Sequence, residues 1–229
     1  MLTPRASLKR GIHMKINKGT GFSGRMFLAT GALVVGLLGT ASAEDNGRFH
    51  GGFNVSSATF ENYSTLPISM IDNYAVNGVN ACSSNGAPGG DQSPELSWTR
   101  APWGTRSFVV MAFDETASFT HWGMYNIAPD IRSLPANAGI SGSTFGAQII
   151  NDDGSIGYEG PCPPPNYLPA IHHYIFTVYA LDMLLDLPAS TDFPAAAETL
   201  LHALVTAVAQ GHVLDSATIN GFYSTAPAT

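Results

Sequence analysis

The segment that most constrains the fold of this chain is the proline-rich stretch Gly160-Pro161-Cys162-Pro163-Pro164-Pro165. Each proline lacks a backbone N–H and has a fixed φ, so four prolines in five residues exclude a helix and the centre of a sheet. We therefore predict a stiff loop with a preset shape. The loop leads through His172-His173-Tyr174 into residues 174–181, the most strand-like run of the chain. A rigid loop that delivers a histidine to a buried strand predicts one wall of a small pocket.

The first 43 residues are predicted to be a secretory signal peptide and not part of the fold. Six basic residues precede an uncharged apolar run at residues 26–40, and the small residues Ala41-Ser42-Ala43 follow it. This order is typical of a leader that is cleaved after Ala43. The alternative, a membrane anchor, is disfavoured because the run is shorter than the ~20 residues that a span needs. Translation begins at Met1 or, for a shorter leader, at Met14.

Removal of the leader would leave a strongly acidic chain. Four arginines and no lysine would remain against 17 acidic residues, which gives residues 44–229 a formal charge of −13. Such a surface repels nucleic acid and anionic lipid headgroups at long range, so nucleic-acid binding is excluded. An anionic ligand would have to be held by local hydrogen bonds. The leader also predicts a periplasmic or secreted location, with no membrane span after cleavage.

The 186 residues after Ala43 suit one domain, residues 53–229, preceded by a flexible segment at residues 44–52. Cys82 and Cys162 are the only cysteines. In an exported protein an isolated pair favours a disulfide, here between an early loop and the proline-rich loop. Two unpaired buried thiols are the alternative. A disulfide would close a loop of about 80 residues and stabilise the fold by about 4 kcal/mol.

Hydrophobic patterning predicts several strands followed by one main helix late in the chain. The predicted strands are, in chain order, residues 53–60, 74–79, 106–113, 121–127, 174–181 and 217–223. The helix is expected over residues 194–210, where apolar residues recur at helical spacing, with Gly211 as its C-cap. Because strands and helices do not alternate, we predict a mostly antiparallel β domain with peripheral helices.

Titratable residues stand at the ends of three of these strands. Asp114 follows the strand at residues 106–113, His121 opens the next one, and His172 precedes the long late strand. Because only residues 115–120 separate Asp114 from His121, a hairpin would bring the two together. A carboxylate beside two imidazoles can hold a phosphate or carboxylate through ring N–H groups, while Asp114 sets the tautomer and charge of a histidine. The alternative is that each histidine only caps a strand end.

Other site chemistries are less well supported by the sequence. Two histidines and Asp114 are residue types of a metal facial triad, but their spacing is not a local metal motif, so neither metal nor cofactor is expected. No G-x-S-x-G and no nucleotide-binding glycine pattern occur. The run Asn151-Asp152-Asp153-Gly154 lacks EF-hand spacing and predicts an Asx-type turn. A hydrolase using Asp114 and the histidines for acid–base work would lack a nucleophile, so we expect no enzyme activity.

Short motifs along the chain, in a fixed order from about Asn54 to Tyr223, are similar to those of one known family. They are Ser93-Pro94-Glu95-Leu96-Ser97-Trp98, Pro102-Trp103-Gly104-Thr105-Arg106-Ser107-Phe108, Asp114, His121-Trp122, Tyr125-Asn126-Ile127, Leu134-Pro135, Asn151-Asp152, Gly157-Tyr158, Gly160-Pro161-Cys162-Pro163-Pro164, His172-x-Tyr174 and Phe176-Thr177-Val178-Tyr179-Ala180-Leu181-Asp182. The chain thereby resembles the phosphatidylethanolamine-binding protein family, most closely its bacterial YbhB/YbcL-like (Raf-kinase-inhibitor-like) branch.

The resemblance implies a central antiparallel sheet packed on a second, smaller sheet, peripheral helices including one near the C-terminus, and a pocket for phosphate-type headgroups or small anions. The pocket residues carried over from the family's motifs are Asp114, His121, Cys162, Pro163, Pro164, His172 and Tyr174. The expected function is that of an exported, non-enzymatic protein that binds a phosphate-bearing or other small anion. The alternative is a protein–protein interaction or inhibitor module, of the kinase- or protease-inhibitor type, with an envelope or host partner.

The chain departs from the family's pattern mainly on one side of the expected pocket. The family's D-P-D-x-P motif reads Asp114-Glu115-Thr116-Ala117-Ser118, without the prolines and the second aspartate. Thr120 replaces an aromatic residue, His173 replaces the arginine of an H-R-Y motif, and Asn166 replaces the glycine after the proline loop. These changes predict a less rigid Asp114 loop with altered electrostatics, and hence either an altered ligand preference or weak binding.

Overall fold

The computed structural model describes residues 52–188 and 194–226. The predicted signal peptide and residues 44–51 of the predicted flexible segment lie outside the described residues. No helix in the described part is both long and apolar enough to cross a membrane. The strands and helices of that part are β1 (Asn54–Ser56), β2 (Ser64–Thr65), a 3₁₀ turn (Ile68–Met70), β3 (Ala75–Val76), β4 (Val79–Asn80), β5 (Leu96–Thr99), β6 (Ser107–Asp114), β7 (Phe119–Ile127), β8 (Ser133–Leu134), β9 (Ala147–Gln148), β10 (His172–Leu181), α1 (Ala197–Ala209) and β11 (Val213–Tyr223).

The described elements form a layered β structure. Six strands make the central sheet, in the order β2-β11-β10-β6-β7-β9. Its neighbours are antiparallel except for the short β2, which pairs in parallel with β11. A smaller sheet, β1-β5-β8, packs on one face of the central sheet, and α1 packs on the other. This confirms the predicted mostly β fold, with a central sheet on a smaller one and a helix near the C-terminus.

Strand β6 is buried on both of its faces. Phe108 and Val110 pack toward the small sheet together with Trp98, whereas Val109 and Met111 pack toward the helix side. Successive side chains of a strand point to opposite faces, so a strand covered on both sides needs apolar residues at nearly every position. The unbroken apolar run of β6 in the sequence follows from its central place between two hydrophobic cores.

The long elements occur where they were predicted, with shifted ends. Strand β10 begins at His172, and β11 begins at Val213, earlier than residue 217. Helix α1 is followed by Gly211 with a φ of 78°, the left-handed conformation that terminates many helices at glycine. The early start of β10 matters for function because it fixes the backbone of His172 in the sheet.

The prediction of a single strand at residues 74–79 was wrong. This segment contributes to a tight hairpin in which β3 and β4 pair around Asn77-Gly78, with φ values of 52° and 82°. A two-residue hairpin turn of this kind needs positive φ at both central residues, and Asn-Gly is the sequence that adopts it most readily. The predicted first strand, residues 53–60, is likewise limited to the three residues of β1.

The predicted disulfide between Cys82 and Cys162 is present. It joins the segment after β4 to the proline-rich loop. Cys82 is fully buried, and its carbonyl oxygen accepts a hydrogen bond of 2.9 Å from the hydroxyl of Tyr223 at the end of β11. The N–H of Asp72 donates to the carbonyl of Pro161 at 3.3 Å. The proline-rich loop is therefore held by a covalent bond and by the backbone beside it.

Candidate functional site

A cavity of about 500 Å³ lies where the ends of β6, β7 and β10 meet the proline-rich loop. Its lining includes all the residues that the family resemblance implied: Asp114, His121, Cys162, Pro163, Pro164, His172 and Tyr174. The structure therefore brings residues from three strands and one loop into a single cavity. Their role in ligand binding stays a prediction.

Strand register explains why these side chains meet. Asp114, the last residue of β6, pairs with Tyr174 on β10 and with Phe119 on β7. His172 and Tyr174 are two residues apart on β10, so their side chains leave the same face of the sheet. The short turn between β6 and β7 returns the chain to His121, as the hairpin prediction required.

A buried hydrogen bond links Asp114 to His172. The Nδ1 atom of His172 lies 2.6 Å from Oδ2 of Asp114, and the aspartate is only 2% exposed. The other carboxylate oxygen, Oδ1, accepts hydrogen bonds from the N–H groups of Thr116 at 2.8 Å and Ala117 at 3.0 Å. Because an ionised carboxylate only accepts, the proton of this pair sits on Nδ1 of His172. The Nε2 atom is the nitrogen left for a ligand.

The imidazole of His121 is oriented by a backbone carbonyl. Its Nδ1 donates to the carbonyl oxygen of Glu159 at 2.8 Å, which again leaves Nε2 as the uncommitted nitrogen. The ring packs against Phe119 and Tyr174, with ring centroids 4.7 and 5.3 Å apart. Burial lowers the pKa of His121, although the nearby Asp114 carboxylate acts in the opposite direction. The ring is therefore neutral at neutral pH.

Tyr174 adds a phenol hydroxyl to the same wall. Burial raises the pKa of Tyr174, and the negative charge of Asp114 raises it further. The hydroxyl consequently keeps its proton across the physiological pH range and can donate to a ligand oxygen. Its ring stacks on that of His172, with centroids 6.4 Å apart.

The backbone of the Asp114 loop has a conformation that the family's two prolines could not adopt. The N–H of Glu115 donates to the carbonyl of His173 at 3.1 Å, and proline has no N–H to donate. Ser118 has a φ of 53°, whereas the proline ring holds φ near −65°. The backbone hydrogen bond at Glu115 and the positive φ at Ser118 are therefore possible only because neither residue is a proline.

The substituted side chains of this wall also contact one another. The Glu115 carboxylate accepts a hydrogen bond from Nδ1 of His173, and Oγ1 of Thr116 accepts one from the His173 N–H at 3.0 Å. Glu115 and His173 are two of the departures from the family's pattern, and they form a pair. Hydrogen bonds thus replace the prolines as the constraint on this loop, which offsets the predicted loss of rigidity.

Three further carboxylates line the cavity that the sequence analysis did not identify: Asp72, Asp153 and Glu159. Burial and the negative charges of Asp91, Asp72 and Asp153 raise the pKa of Glu159 to about 7. Burial is also the main reason that the pKa of Asp72 is raised. Among the residues that the structure describes, the lining contains neither lysine nor arginine. The cavity therefore combines two imidazoles with an acidic wall.

Local sequence signals existed for two of these three carboxylates. Glu159 stands directly before the proline-rich loop. Asp153 lies in the predicted Asx-type turn, which is confirmed because Oδ1 of Asn151 accepts hydrogen bonds from the N–H groups of Asp153 and Ser155 at 3.1 and 3.0 Å. No local sequence signal marked Asp72, because it reaches the cavity lining through long-range contacts with the proline-rich loop.

The chain is similar to one family over most of its described part. The profile of the family described as phosphatidylethanolamine-binding protein matches residues 56–224. A UPF0098 protein of Methanothermobacter thermautotrophicus is 37% identical over 136 residues, which are 57% of this chain and 82% of that relative. The UPF0098 protein YbcL of Escherichia coli is 41% identical over 104 residues, which are 42% of this chain and 56% of YbcL.

Two solved structures have a similar fold. The crystal structure of E. coli YbcL, described as a new member of the mammalian PEBP family, superposes with a TM-score of 0.58 at 29% identity and covers 75% of this chain and 98% of YbcL. A putative phosphatidylethanolamine-binding protein homologue from Chlamydia trachomatis superposes with a TM-score of 0.56 at 27% identity and covers 76% of this chain and 97% of its own. The family profile's match over residues 56–224 includes β6, β7 and β10, the strands that bear the cavity.

Proposed function

This chain belongs to the phosphatidylethanolamine-binding protein family, and from that membership we propose that it is an exported, non-enzymatic protein whose cavity binds a small phosphate-bearing ligand. The ligand is either free phosphate or the headgroup of a phospholipid. The observation that carries the proposal is the pair of imidazoles, His121 and His172, that share one cavity with the Asp114 carboxylate.

The hydrogen bonds of the two histidines leave a matched pair of ligand-binding atoms. Nδ1 of His121 is committed to a carbonyl and Nδ1 of His172 to a carboxylate, so each ring offers Nε2 to the cavity. A neutral ring accepts at Nε2, whereas a protonated ring donates there. A phosphate oxygen can therefore accept from a protonated Nε2, and a phosphate hydroxyl can donate to a neutral one.

The acidic wall favours a ligand of low net charge. In the described part of the chain the cavity lining includes four carboxylates, Asp72, Asp114, Asp153 and Glu159, and no lysine or arginine. Like charges a few ångströms apart repel one another strongly where water is partly excluded. A phosphate that carries an ammonium group lowers this repulsion because the ammonium can face the carboxylates. We therefore expect phosphoethanolamine to bind more tightly than inorganic phosphate.

The composition of the lining supports binding over hydrolysis. The described residues that line the cavity include no serine or threonine, and the one cysteine among them, Cys162, is in the disulfide. Covalent catalysis through a hydroxyl or a thiol needs such a nucleophile beside its general base, so this class of hydrolase is disfavoured. The disulfide also supports the proposed export, because such bonds persist in oxidising compartments.

The proposal is tested by NMR titration of the protein with inorganic phosphate and with phosphoethanolamine. In His172→Ala the chemical-shift changes of the cavity residues should be lost. The matched control is His212→Ala, which removes a similar histidine–aspartate pair, His212 Nδ1 to Asp182 Oδ1 at 2.9 Å, outside the cavity lining. The control should titrate like the wild type. Unchanged titrations in His172→Ala, or no response of the wild type to either ligand, would contradict the proposal.

A second candidate function, an interaction or inhibitor module, is favoured by the segment between the proline-rich loop and His172. Tyr167, Leu168 and Ile171 expose 72%, 92% and 62% of their surfaces there. Clustered exposed apolar residues often mark a protein contact. In a pull-down from an envelope extract, a partner bound through this segment is lost in Leu168→Asp and retained in His172→Ala. The opposite pattern would assign the contact to the cavity instead.

A further inference from the structure

Two surface segments beside the cavity expose large apolar side chains. The hairpin segment, residues 74–80, contains β3 and β4, and the loop segment, residues 165–171, connects the proline-rich wall to β10. The exposed large apolar residues of the two segments are Tyr74, Val76, Val79, Tyr167, Leu168 and Ile171. Clustered apolar side chains at a protein surface mark a contact with a partner.

Both segments stand at the opening of the cavity. Tyr74 and Pro164 line the cavity and are themselves exposed, so each lies where the cavity meets solvent. The loop segment begins directly after Pro164 and ends directly before His172, which is also in the lining. The disulfide between Cys82 and Cys162, with Cα atoms 4.5 Å apart, keeps the hairpin segment next to the proline-rich wall. The apolar side chains of both segments therefore border one opening.

The chain carries no charge in or around these segments. Residues 73–90 and 161–171 contain no acidic side chain, no basic side chain and no histidine. An ionised side chain loses hydration when it enters a lipid interface, so a membrane contact favours uncharged segments. Contacts between proteins instead have a polar rim and are enriched in arginine. The composition of the two segments therefore favours a lipid surface as the partner.

We propose that the hairpin and loop segments dock on the surface of a zwitterionic lipid bilayer and hold the cavity opening against its headgroups. This inference rests on the proposed function, because the bilayer is the source of the phosphate-bearing ligand. Leu168 and the other aliphatic side chains enter the apolar boundary of the bilayer. The two tyrosines lie at headgroup level, where an aromatic ring meets lipid and its hydroxyl meets water.

Charge selects the kind of bilayer. Residues 44–229 have a formal charge of −13, so a strongly anionic membrane repels the protein. Inside the opening, the carboxylates of Asp72, Asp153 and Glu159 attract an ammonium group, and His121 and His172 offer ring nitrogens to a phosphate. A phosphatidylethanolamine headgroup carries both groups and has no net charge. The partner that fits is therefore a bilayer that contains this lipid and few anionic ones.

The loop segment is ordered before it meets a membrane. The N–H of Tyr167 donates to the carbonyl of Pro164 at 3.3 Å. Pro165 and Pro169 restrict the backbone on both sides of Leu168. Because binding costs less conformational entropy when the contacting residues are already fixed, Leu168 is placed for docking without a folding step.

Vesicle flotation measures this docking. The wild type should float with vesicles of phosphatidylcholine and phosphatidylethanolamine, and less with vesicles in which phosphatidylglycerol replaces the phosphatidylethanolamine. Leu168→Asp should weaken binding to the first vesicles by about tenfold or more, because a buried leucine is lost and a charge is added. The variant should still bind soluble phosphoethanolamine in an NMR titration like the wild type, since Leu168 is outside the cavity lining.

The matched control is Leu184→Asp, the same change at a leucine that is 55% exposed. Leu184 follows the end of β10 that is opposite to His172, and the variant should float like the wild type. Equal flotation of Leu168→Asp and the wild type would overturn the docking face, as would equal losses in both variants. A protein partner lost in Leu168→Asp while vesicle binding is unchanged would assign the segment to a protein contact and also overturn it. Flotation that depends on Leu168 without any response to soluble phosphoethanolamine would support the docking face and contradict the proposed ligand.

Discussion

The proline-rich wall of the cavity, residues 160–164, is fixed by covalent constraints, whereas the wall formed by residues 114–118 is fixed by hydrogen bonds. On the first wall, proline rings limit the backbone and a disulfide ties Cys162 to Cys82. On the second, Asp114 accepts two backbone N–H groups, and Glu115 and Thr116 contact His173. The two walls meet at His121, which donates to the carbonyl of Glu159.

The two walls should therefore respond differently to pH and to substitution. Prolines and disulfides stabilise a fold largely by restricting the unfolded chain, and they carry no charge that changes with pH. A carboxylate that organises a loop and a histidine at once is sensitive to substitution and to protonation. Changes at the covalent wall are therefore expected to act on stability, and changes at the hydrogen-bonded wall on stability and ligand binding together.

The largest effect is expected at the covalent wall. Replacing both cysteines in Cys82→Ser, Cys162→Ser removes a bridge between residues 80 positions apart and should lower the free energy of unfolding by about 4 kcal/mol. Denaturant unfolding followed by tryptophan fluorescence measures it. A loss below about 1 kcal/mol would mean that the backbone bonds of the loop, and not the disulfide, fix this wall.

Removal of the carboxylate that organises the other wall should have the next largest effect. Asp114→Ala leaves the N–H groups of Thr116 and Ala117 and the Nδ1 of His172 without their acceptor, at a cost of about 3 kcal/mol in the free energy of unfolding. The control Asp182→Ala removes the partner of His212 in a partly exposed pair and should cost less than about 0.5 kcal/mol. Similar unfolding curves for the two variants would show that Asp114 does not organise its loop.

The backbone of the Asp114 loop can be tested by restoring one of the family's prolines. Ser118→Pro imposes a negative φ where the chain has a φ of 53°, so it should lower the free energy of unfolding by about 2 kcal/mol. Ser118→Gly, the matched control, removes the strain of the left-handed conformation and should raise that free energy by about 0.5 kcal/mol. A proline variant as stable as the wild type would show that the loop tolerates the family's conformation.

The smallest effect concerns the acidic residue beside the proline-rich loop. The pKa of Glu159 is raised from its ordinary value of 4.5 to about 7. The folded protein binds this proton more tightly than the unfolded chain does. The stability that protonated Glu159 contributes is therefore fully present below pH 4.5 and is lost as the pH rises through 7. Glu159→Gln should therefore match the wild type in free energy of unfolding at about pH 4.5 and exceed it by about 1 kcal/mol at about pH 8, a value reduced for solvent screening.

Denaturant unfolding at several pH values measures the difference between Glu159→Gln and the wild type. The difference should grow with pH and level off above about pH 8. A stability difference that is constant over this pH range would show that burial and the neighbouring carboxylates do not raise the pKa of Glu159. Phosphate binding by the variant should also depend less on pH, because one negative charge of the cavity lining is gone.

Features that depend on residues close together in the sequence could be predicted, whereas features that depend on long-range contacts could not. Strands β6, β7 and β10 are apolar runs bounded by polar residues, so their patterns are local and were predicted. The turn signal Asn77-Gly78 is also local, but the apolar residues on both sides of it resemble one continuous strand, which is why the single-strand prediction was wrong. The cleavage site after Ala43 and the resulting export stay predictions, because that part of the chain lies outside the described residues.

The sequence by itself determined the family, the long strands, the disulfide partners and the residues of two cavity walls, because each is written in short motifs or in periodic patterns. Only the tertiary structure decided what surrounds them. Asp72 comes from a segment far from Asp153 and Glu159 in the chain, and the pairing of Glu115 with His173 joins the turn after β6 to β10. Whether a cavity is acidic, and which nitrogen of a histidine remains free, depends on distances between such segments, which no local pattern encodes.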